Sequence, residues 1–234
     1  MTHAQMTAAL QLLLAYLLGS IPFAYIAGRA LKGLDLRQHG SGNLGATNVF
    51  RVLGMGPGIA VLLLDIAKGA VAVALLPKLG HASRFAALFS DGPVEQAWWP
   101  CVLGLAAVLG HTYTAFLGFK GGKGVATSAG VFLGLAPWAT LCVLGVFLLA
   151  FLLSRMVSLG SLLAAAALPA LVAAWGEWRP AAVDRSLADL ARGGWALGAR
   201  PVFYLALTLA LLVWLKHVPN IKRIAAGTES RFQR

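Results

Sequence analysis

The sequence predicts an all-α polytopic membrane protein of seven transmembrane helices, N-terminus outside and C-terminus cytoplasmic, with short fourth and fifth helices. Three observations carry this. Of 234 residues, 59% are hydrophobic and 12% charged, whereas soluble domains carry about 25% charged residues. Apolar runs close to the ~20 residues that cross a ~30 Å hydrocarbon core recur along the whole chain. No segment shows the alternating polarity of a barrel strand. No polar stretch is long enough for a soluble domain, so residues 1–234 read as one integral membrane domain.

The apolar segments are Ala8–Gly28, Gly58–Pro77, Trp98–Leu117, Gly122–Leu135, Trp138–Leu153, Leu159–Trp175 and Val202–Leu215. The first lacks a basic n-region ahead of it and is expected to be retained, not cleaved. In the second, Asp65 and Lys68 fall near the middle of the span, three residues apart. A helix makes them neighbours, and a mutual ion pair offsets the cost of burying either charge.

The fourth and fifth segments need an argument. Residues from Val125 to Leu153 carry no charge, and as one helix they would reach about 42 Å, too long without a strong tilt. Pro137 interrupts them and disfavours helix at the residue before it. Two short antiparallel helices follow. Pro219 is expected to end the last helix. Cys101 and Cys142 lie in or beside apolar segments and read as small core residues, without a disulfide framework.

Lysine and arginine orient the chain. Seven spans place Arg29, Lys32, Arg37, Arg51, Lys120, Lys123, Arg155, Lys216, Lys222, Arg223, Arg231 and Arg234 on one face. Lys78, Arg84, Arg179, Arg185, Arg192 and Arg200 fall on the other. The positive-inside rule makes the first face cytoplasmic. The net charge of +11 therefore reads as that bias plus contacts with anionic lipid or substrate, not as a nucleic-acid surface. Every segment rich in glycine and polar side chains then shares the cytoplasmic face: Gly40–Arg51, Gly118–Ser128, Ser154–Ser161 and His217–Arg223.

In the first of these, Gly40, Ser41, Asn43, Thr47, Asn48 and Arg51 combine close backbone approach, hydroxyl and amide donors, and a guanidinium that grips phosphate. The second places Gly121, Gly122, Lys123 and Gly124 at the start of a helix, where free N–H groups and an ammonium make an anion site. It is not a nucleotide P-loop, because Gly124 follows Lys123 where GxxxxGK[ST] needs a hydroxyl. His111 ends the third span just before that loop. His217 and Asn220 flank Pro219, and Ser158 and Ser161 follow Arg155. No histidine has an aspartate five positions on, so the arrangement of soluble glycerolipid acyltransferases is missing. No metal-ligand spacing, nucleophile elbow or dinucleotide fingerprint occurs, and no cofactor is expected.

Taken together, GSIPFAYIAGR, GSGNLGATNVFRVLG, the DIAKG of the second span, GHTYTAFLGFKGGKGVATSAG, SRMVSLGSL and KHVPNIKRIAAGTESRF resemble the bacterial acyl-phosphate:glycerol-3-phosphate acyltransferase family (PlsY). The resemblance implies a seven-span inner-membrane enzyme with a cytoplasmic site. It implies acyl transfer from acyl phosphate to glycerol 3-phosphate, without direct use of acyl-CoA or acyl carrier protein. It also implies Ser41, His111 and His217 as catalytic residues. Gly40, Asn43, Thr47, Asn48, Arg51, Gly121, Gly122, Lys123, Gly124, Ser158 and Asn220 are implied to bind substrate, with Glu229 as a structural residue. The outer loops Lys78–Ala97 and Gly176–Arg200 are long for the family, and Leu187, Leu190 and Trp195 suggest a small amphipathic element there.

The chemistry suits the inventory. Two phosphate-bearing substrates need convergent Arg, Lys and backbone donors in a water-poor site. The attacking hydroxyl needs a proton acceptor: His111, His217 or a substrate phosphate oxygen. A transporter of organic phosphates is the rival reading, and it would require a midplane site between internal repeats.

Overall fold

The computed structural model describes residues 3–79, 93–177 and 200–232. These residues form helices joined by loops and 3-10 turns, and no strand occurs among them. The helices are α1 (His3–Ser20), α2 (Phe23–Lys32), α3 (Ala46–Leu53), α4 (Met55–Ala74), α5 (Pro93–Thr112), α6 (Val125–Leu135), α7 (Pro137–Ser154), α8 (Val157–Glu177), α9 (Arg200–Lys216) and α10 (Val218–Ala225). Most of the two long outer loops, including Leu187, Leu190 and Trp195, lies outside the described residues.

Each of the seven apolar segments contains a helix, but they differ in their capacity to span. Gln5–Lys32, Met55–Lys78, Trp98–Leu117, Pro137–Ser154 and Val157–Ala174 are long and apolar enough to cross a bilayer. Pro201–Lys216 joins them if taken with Val218–Ala225, from which it is bent by 58°. Described residues therefore supply five or six candidate spans. The remaining segment, α6, has 11 residues and rises only about 16 Å.

Four expectations are corrected. The first segment is not one uninterrupted helix: α1 stops at Ser20, and Pro22 precedes a separate α2, since proline has no N–H to continue the ladder. The fifth segment is not short, because α7 runs 18 residues from Pro137, with proline at the position where its missing N–H costs nothing. The last helix breaks before Pro219, at His217, and proline sits in the first turn of α10. Of the two cysteines, Cys101 is buried as expected, while Cys142 is exposed on α7.

The bundle is organised around the short helix. Helices α4, α6, α7, α8 and α9 each pack on the next, and α5 closes the circuit between α9 and α4, while α1 packs outside on α5. Close approach of α4 and α6 depends on two glycines. A Cβ at Gly69 would strike the Thr127 carbonyl, and one at Gly130 would strike the Ile66 carbonyl. Small residues let helix backbones touch where hydrocarbon solvation supplies no drive for association. Val73, Val108, Val131, Phe132, Leu168, Leu205 and Leu209 fill the centre. In contrast α7 leaves Leu148, Leu149, Leu152 and Leu153 exposed, a surface suited to acyl tails. Helix α6 would cover only about half of a 30 Å core, and the loop ahead of it meets a cavity at its N-terminal end.

Candidate active site

That cavity, of about 970 Å³, brings the four polar segments together. Its mouth is lined by Gly40, Ser41, Gly42, Asn43 and Thr47 from the first segment, with Arg51 on α3. Gly121, Gly122, Lys123 and Gly124 line it from the second, Ser158 and Ser161 from α8, and His217, Asn220 and Arg223 from the last. His111 and Asp65 complete the polar wall. Beyond these, Leu62, Ile66, Phe132, Leu133, Val143, Leu144, Phe147, Leu168 and Leu209 make the lining apolar.

Both glycine loops are held by backbone. The first crosses Gly40 and Gly42 at φ +60° and +69°, a region closed to most side chains. Asn48 lies beneath it, fully buried. Its Oδ1 accepts from the Ser41 N–H at 2.8 Å, and its Nδ2 donates to the carbonyls of Leu36 and His39 at 3.2 and 3.0 Å. That amide is spent inside the loop, and Asn48 does not line the cavity. All thirteen other site residues expected from the sequence do. The second loop folds back on the end of α5, with the Gly121 and Gly122 N–H groups donating to the carbonyls of Thr112 and His111 at 3.1 and 3.0 Å. A Cβ at Gly122 would collide with His111 Nε2. Two helix N-termini, those of α3 and α6, open onto the cavity through Gly45, Ala46, Gly124 and Val125, and each offers unpaired N–H groups to an anion.

The side-chain electrostatics favour an anion as well. Arg51, Lys123, Lys216 and Arg223 face the cavity against two carboxylates, Asp65 and Glu229. Both carboxylates are engaged. Asp65 Oδ1 lies 2.8 Å from Lys68 Nζ and 3.5 Å from His111 Nδ1. Glu229 accepts from Arg223 Nε and Asn220 Nδ2, each at 2.7 Å. These donors hold the Glu229 carboxyl below its ordinary range against the opposing effect of burial. Asn220 in turn accepts from Lys123 Nζ. Lys123 sits in the loop ahead of α6, and burial pushes its ammonium down to about 8, with Arg51 and Arg223 adding to the shift and Glu229 opposing it.

The two histidines are oriented differently. His217 Nδ1 lies 2.8 Å from the Val213 carbonyl. A carbonyl only accepts, so Nδ1 carries the proton and Nε2 is the free nitrogen of the neutral ring. His111 turns Nδ1 toward Asp65 instead. Sequence reasoning gave Asp65 and Lys68 a structural ion pair, which is present. It missed that Asp65 also faces the cavity and His111, because only packing of α4 against α5 brings them together. Glu229, Arg223, Lys216 and Ser128 were likewise not named as lining residues. Among the described residues no three His, Cys, Asp or Glu side chains gather as a metal site would need.

A helical membrane bundle whose cavity is walled partly by glycine loops and cations and partly by apolar side chains suits a ligand that joins an anionic group to an apolar chain. Comparison with known proteins agrees. The family model described as glycerol-3-phosphate acyltransferase matches residues 9–227. A glycerol-3-phosphate acyltransferase of Chlorobaculum parvum is 43% identical over 227 residues, covering 93% of each chain. That of Geobacter sulfurreducens is 45% identical over 219 residues, covering 94% of each. The crystal structure of PlsY (YgiH), an integral membrane glycerol 3-phosphate acyltransferase, in its glycerol 3-phosphate form aligns with TM-score 0.73 and 36% identity. It covers 97% of this chain and 96% of that one. The lysophosphatidic acid form aligns with TM-score 0.71 and 35% identity. The chain belongs to the glycerol-3-phosphate acyltransferase family.

Proposed function

We propose that this chain transfers a fatty acyl group from acyl phosphate to a hydroxyl of glycerol 3-phosphate, as the first acylation of phospholipid synthesis. The products are 1-acylglycerol 3-phosphate and inorganic phosphate. The observation that carries the reading is one cavity lined both by cations with glycine loops and by apolar side chains. It offers one place to a phosphate-bearing acceptor and to a donor with both a phosphate and an alkyl chain. The crystal structures of the aligned relative, in glycerol 3-phosphate and lysophosphatidic acid forms, support the acceptor and product. Membership in an acyltransferase family speaks against the transporter reading.

In this mechanism the acceptor hydroxyl attacks the acyl carbon, an ester C–O bond forms, and the bond from acyl carbon to phosphate oxygen breaks. Phosphate leaves with the electron pair. Arg51 and Lys123 neutralise both phosphates, and the unpaired N–H groups at the starts of α3 and α6 add donors to them. Ser41 orients a phosphoryl or acyl oxygen, and Thr47, Asn43, Ser158 and Asn220 add donors around it. The hydroxyl proton passes to the free nitrogen of His111 or His217, or to an oxygen of the departing phosphate. Seven spans with the N-terminus outside would set this mouth at the cytoplasmic face of the bacterial inner membrane. The lysine and arginine distribution supports that orientation.

The decisive experiment gives purified protein glycerol 3-phosphate with either palmitoyl phosphate or palmitoyl-CoA and follows lysophosphatidate. Product is expected from the phosphate donor alone; product from the CoA thioester alone overturns the donor assignment. His111→Ala and His217→Ala divide the proton routes. Near-normal turnover in both leaves the phosphate oxygen as acceptor.

The depressed pKa of Lys123 yields a pH prediction. Its ammonium is lost near pH 8 instead of near the ordinary lysine range of about 10.4. The anion-binding charge is therefore fully present below pH 7 and falls as pH rises through 8. Glycerol 3-phosphate is already dianionic there, so kcat/KM should decline on the alkaline side. Lys123→Arg, which stays protonated, should move that decline upward by more than one pH unit. The same limb in both proteins would assign it to another group.

A further inference from the structure

The last described residues leave the site and return to it. Helix α10 ends at Ala225, and Gly227 at φ +70° turns the chain back, with the N–H groups of Gly227 and Thr228 donating to Ile224 and Arg223 carbonyls. Glu229 and Ser230 then line the cavity. Two residues further, the Phe232 N–H donates to the Arg155 carbonyl at 2.9 Å, at the residue that caps α7. The Phe232 ring meets Phe151 of α7 edge-on, centroids 5.8 Å apart, and Phe50 of α3 at 6.4 Å. Its position is thus set from three sides: one backbone hydrogen bond and two aromatic contacts.

On the remaining side lies Arg51, whose guanidinium carbon stands 6.0 Å from the Phe232 ring centroid. Among the described residues no carboxylate pairs with Arg51. This matters for what the arginine does. A carboxylate partner would consume two of its donors and cancel its charge. An aromatic face leaves all five N–H groups and the full charge for an incoming phosphate while restricting the side chain. Such restriction lowers the entropy lost on binding.

We infer that Phe232 is a positioning residue: held by Arg155, Phe151 and Phe50, it gives Arg51 an aromatic platform that aims the guanidinium into the cavity. The inference rests on the reading of Arg51 as a phosphate ligand. It also gives the C-terminal segment a role distinct from that of Glu229, which ties Asn220 and Arg223.

The test is a double-mutant cycle on the full chain in detergent, measuring KM for glycerol 3-phosphate and kcat, with thermal unfolding to confirm equal folding. Phe232→Leu keeps apolar bulk and removes the π-face. It is expected to raise KM about two- to fivefold, the size of an exposed cation–π contact, with kcat within about twofold. Phe232→Tyr should restore KM. In an Arg51→Ala background Phe232→Leu should add nothing. An unchanged KM in Phe232→Leu, a failure of tyrosine to rescue, or a rise that persists without Arg51 overturns the platform. Wild-type KM in Arg51→Ala alone overturns the phosphate-site reading beneath it. Should Phe232→Leu lose the folded state, Phe232→Met takes its place in the same cycle.

Discussion

Lys123→Ala is expected to lower kcat/KM for glycerol 3-phosphate by about 10²–10³-fold, the usual cost of removing one preorganised charge-stabilising donor from a water-poor site. Three features make Lys123 more consequential than a surface lysine. It sits between Gly122 and Gly124 at the approach to α6, so its ammonium adds to the positive end of that helix. Asn220, steered by Glu229, fixes its position through a hydrogen bond. Burial concentrates its charge by excluding competing water, which strengthens the attraction for phosphate. Steady-state kinetics with palmitoyl phosphate measure the effect. A loss below about fivefold, with unfolding unchanged, would remove Lys123 from the phosphate site. Lys123→Arg should recover part of the loss, since the charge remains while the fork is too broad for the same hydrogen bond to Asn220.

The second large effect concerns stability. Asp65 and Lys68 are both almost fully buried, and Lys68 Nζ also donates to the Ile21 carbonyl at 3.1 Å, in the break between α1 and α2. Asp65→Asn leaves a buried ammonium without its counter-charge and is expected to cost about 3–5 kcal/mol, read as a lowered unfolding midpoint in detergent. Replacing both, Asp65→Leu with Lys68→Met, removes the two desolvation costs together and should recover much of that stability. Activity should not return with it, because His111 loses the carboxylate beside its Nδ1. Full activity in the double variant would show that Asp65 serves the fold alone. No loss of stability in Asp65→Asn would show that Lys68 is satisfied by the Ile21 carbonyl.

Much of this protein is legible in one dimension. Apolar runs located the helices because a bilayer imposes a length and a composition that soluble folds do not. The four polar segments stood out because hydroxyl, amide and cation are costly in hydrocarbon and tolerated only where they line a cavity or meet water. Their chemistry pointed to phosphate, and the quoted motifs resembled one acyltransferase family. Helix breaks were harder. Pro22 and Pro219 were visible, but the chain turned before each of them, and a proline marks a neighbourhood more reliably than a residue.

What the sequence by itself determined is therefore the helical membrane class and the polar inventory of the cavity wall. Those follow from composition and local spacing. Only the tertiary structure decided how the inventory is divided. Asn48 supports the first loop from below while its neighbours Thr47 and Arg51 face the cavity, because an eight-residue helix has an inner and an outer face. Asp65 reaches His111 across 46 positions of sequence, and Phe232 reaches Arg51 across 181. Such pairs carry no signal in local spacing: packing of α4 against α5 makes the first, and the return of the chain after α10 onto α7 and α3 makes the second.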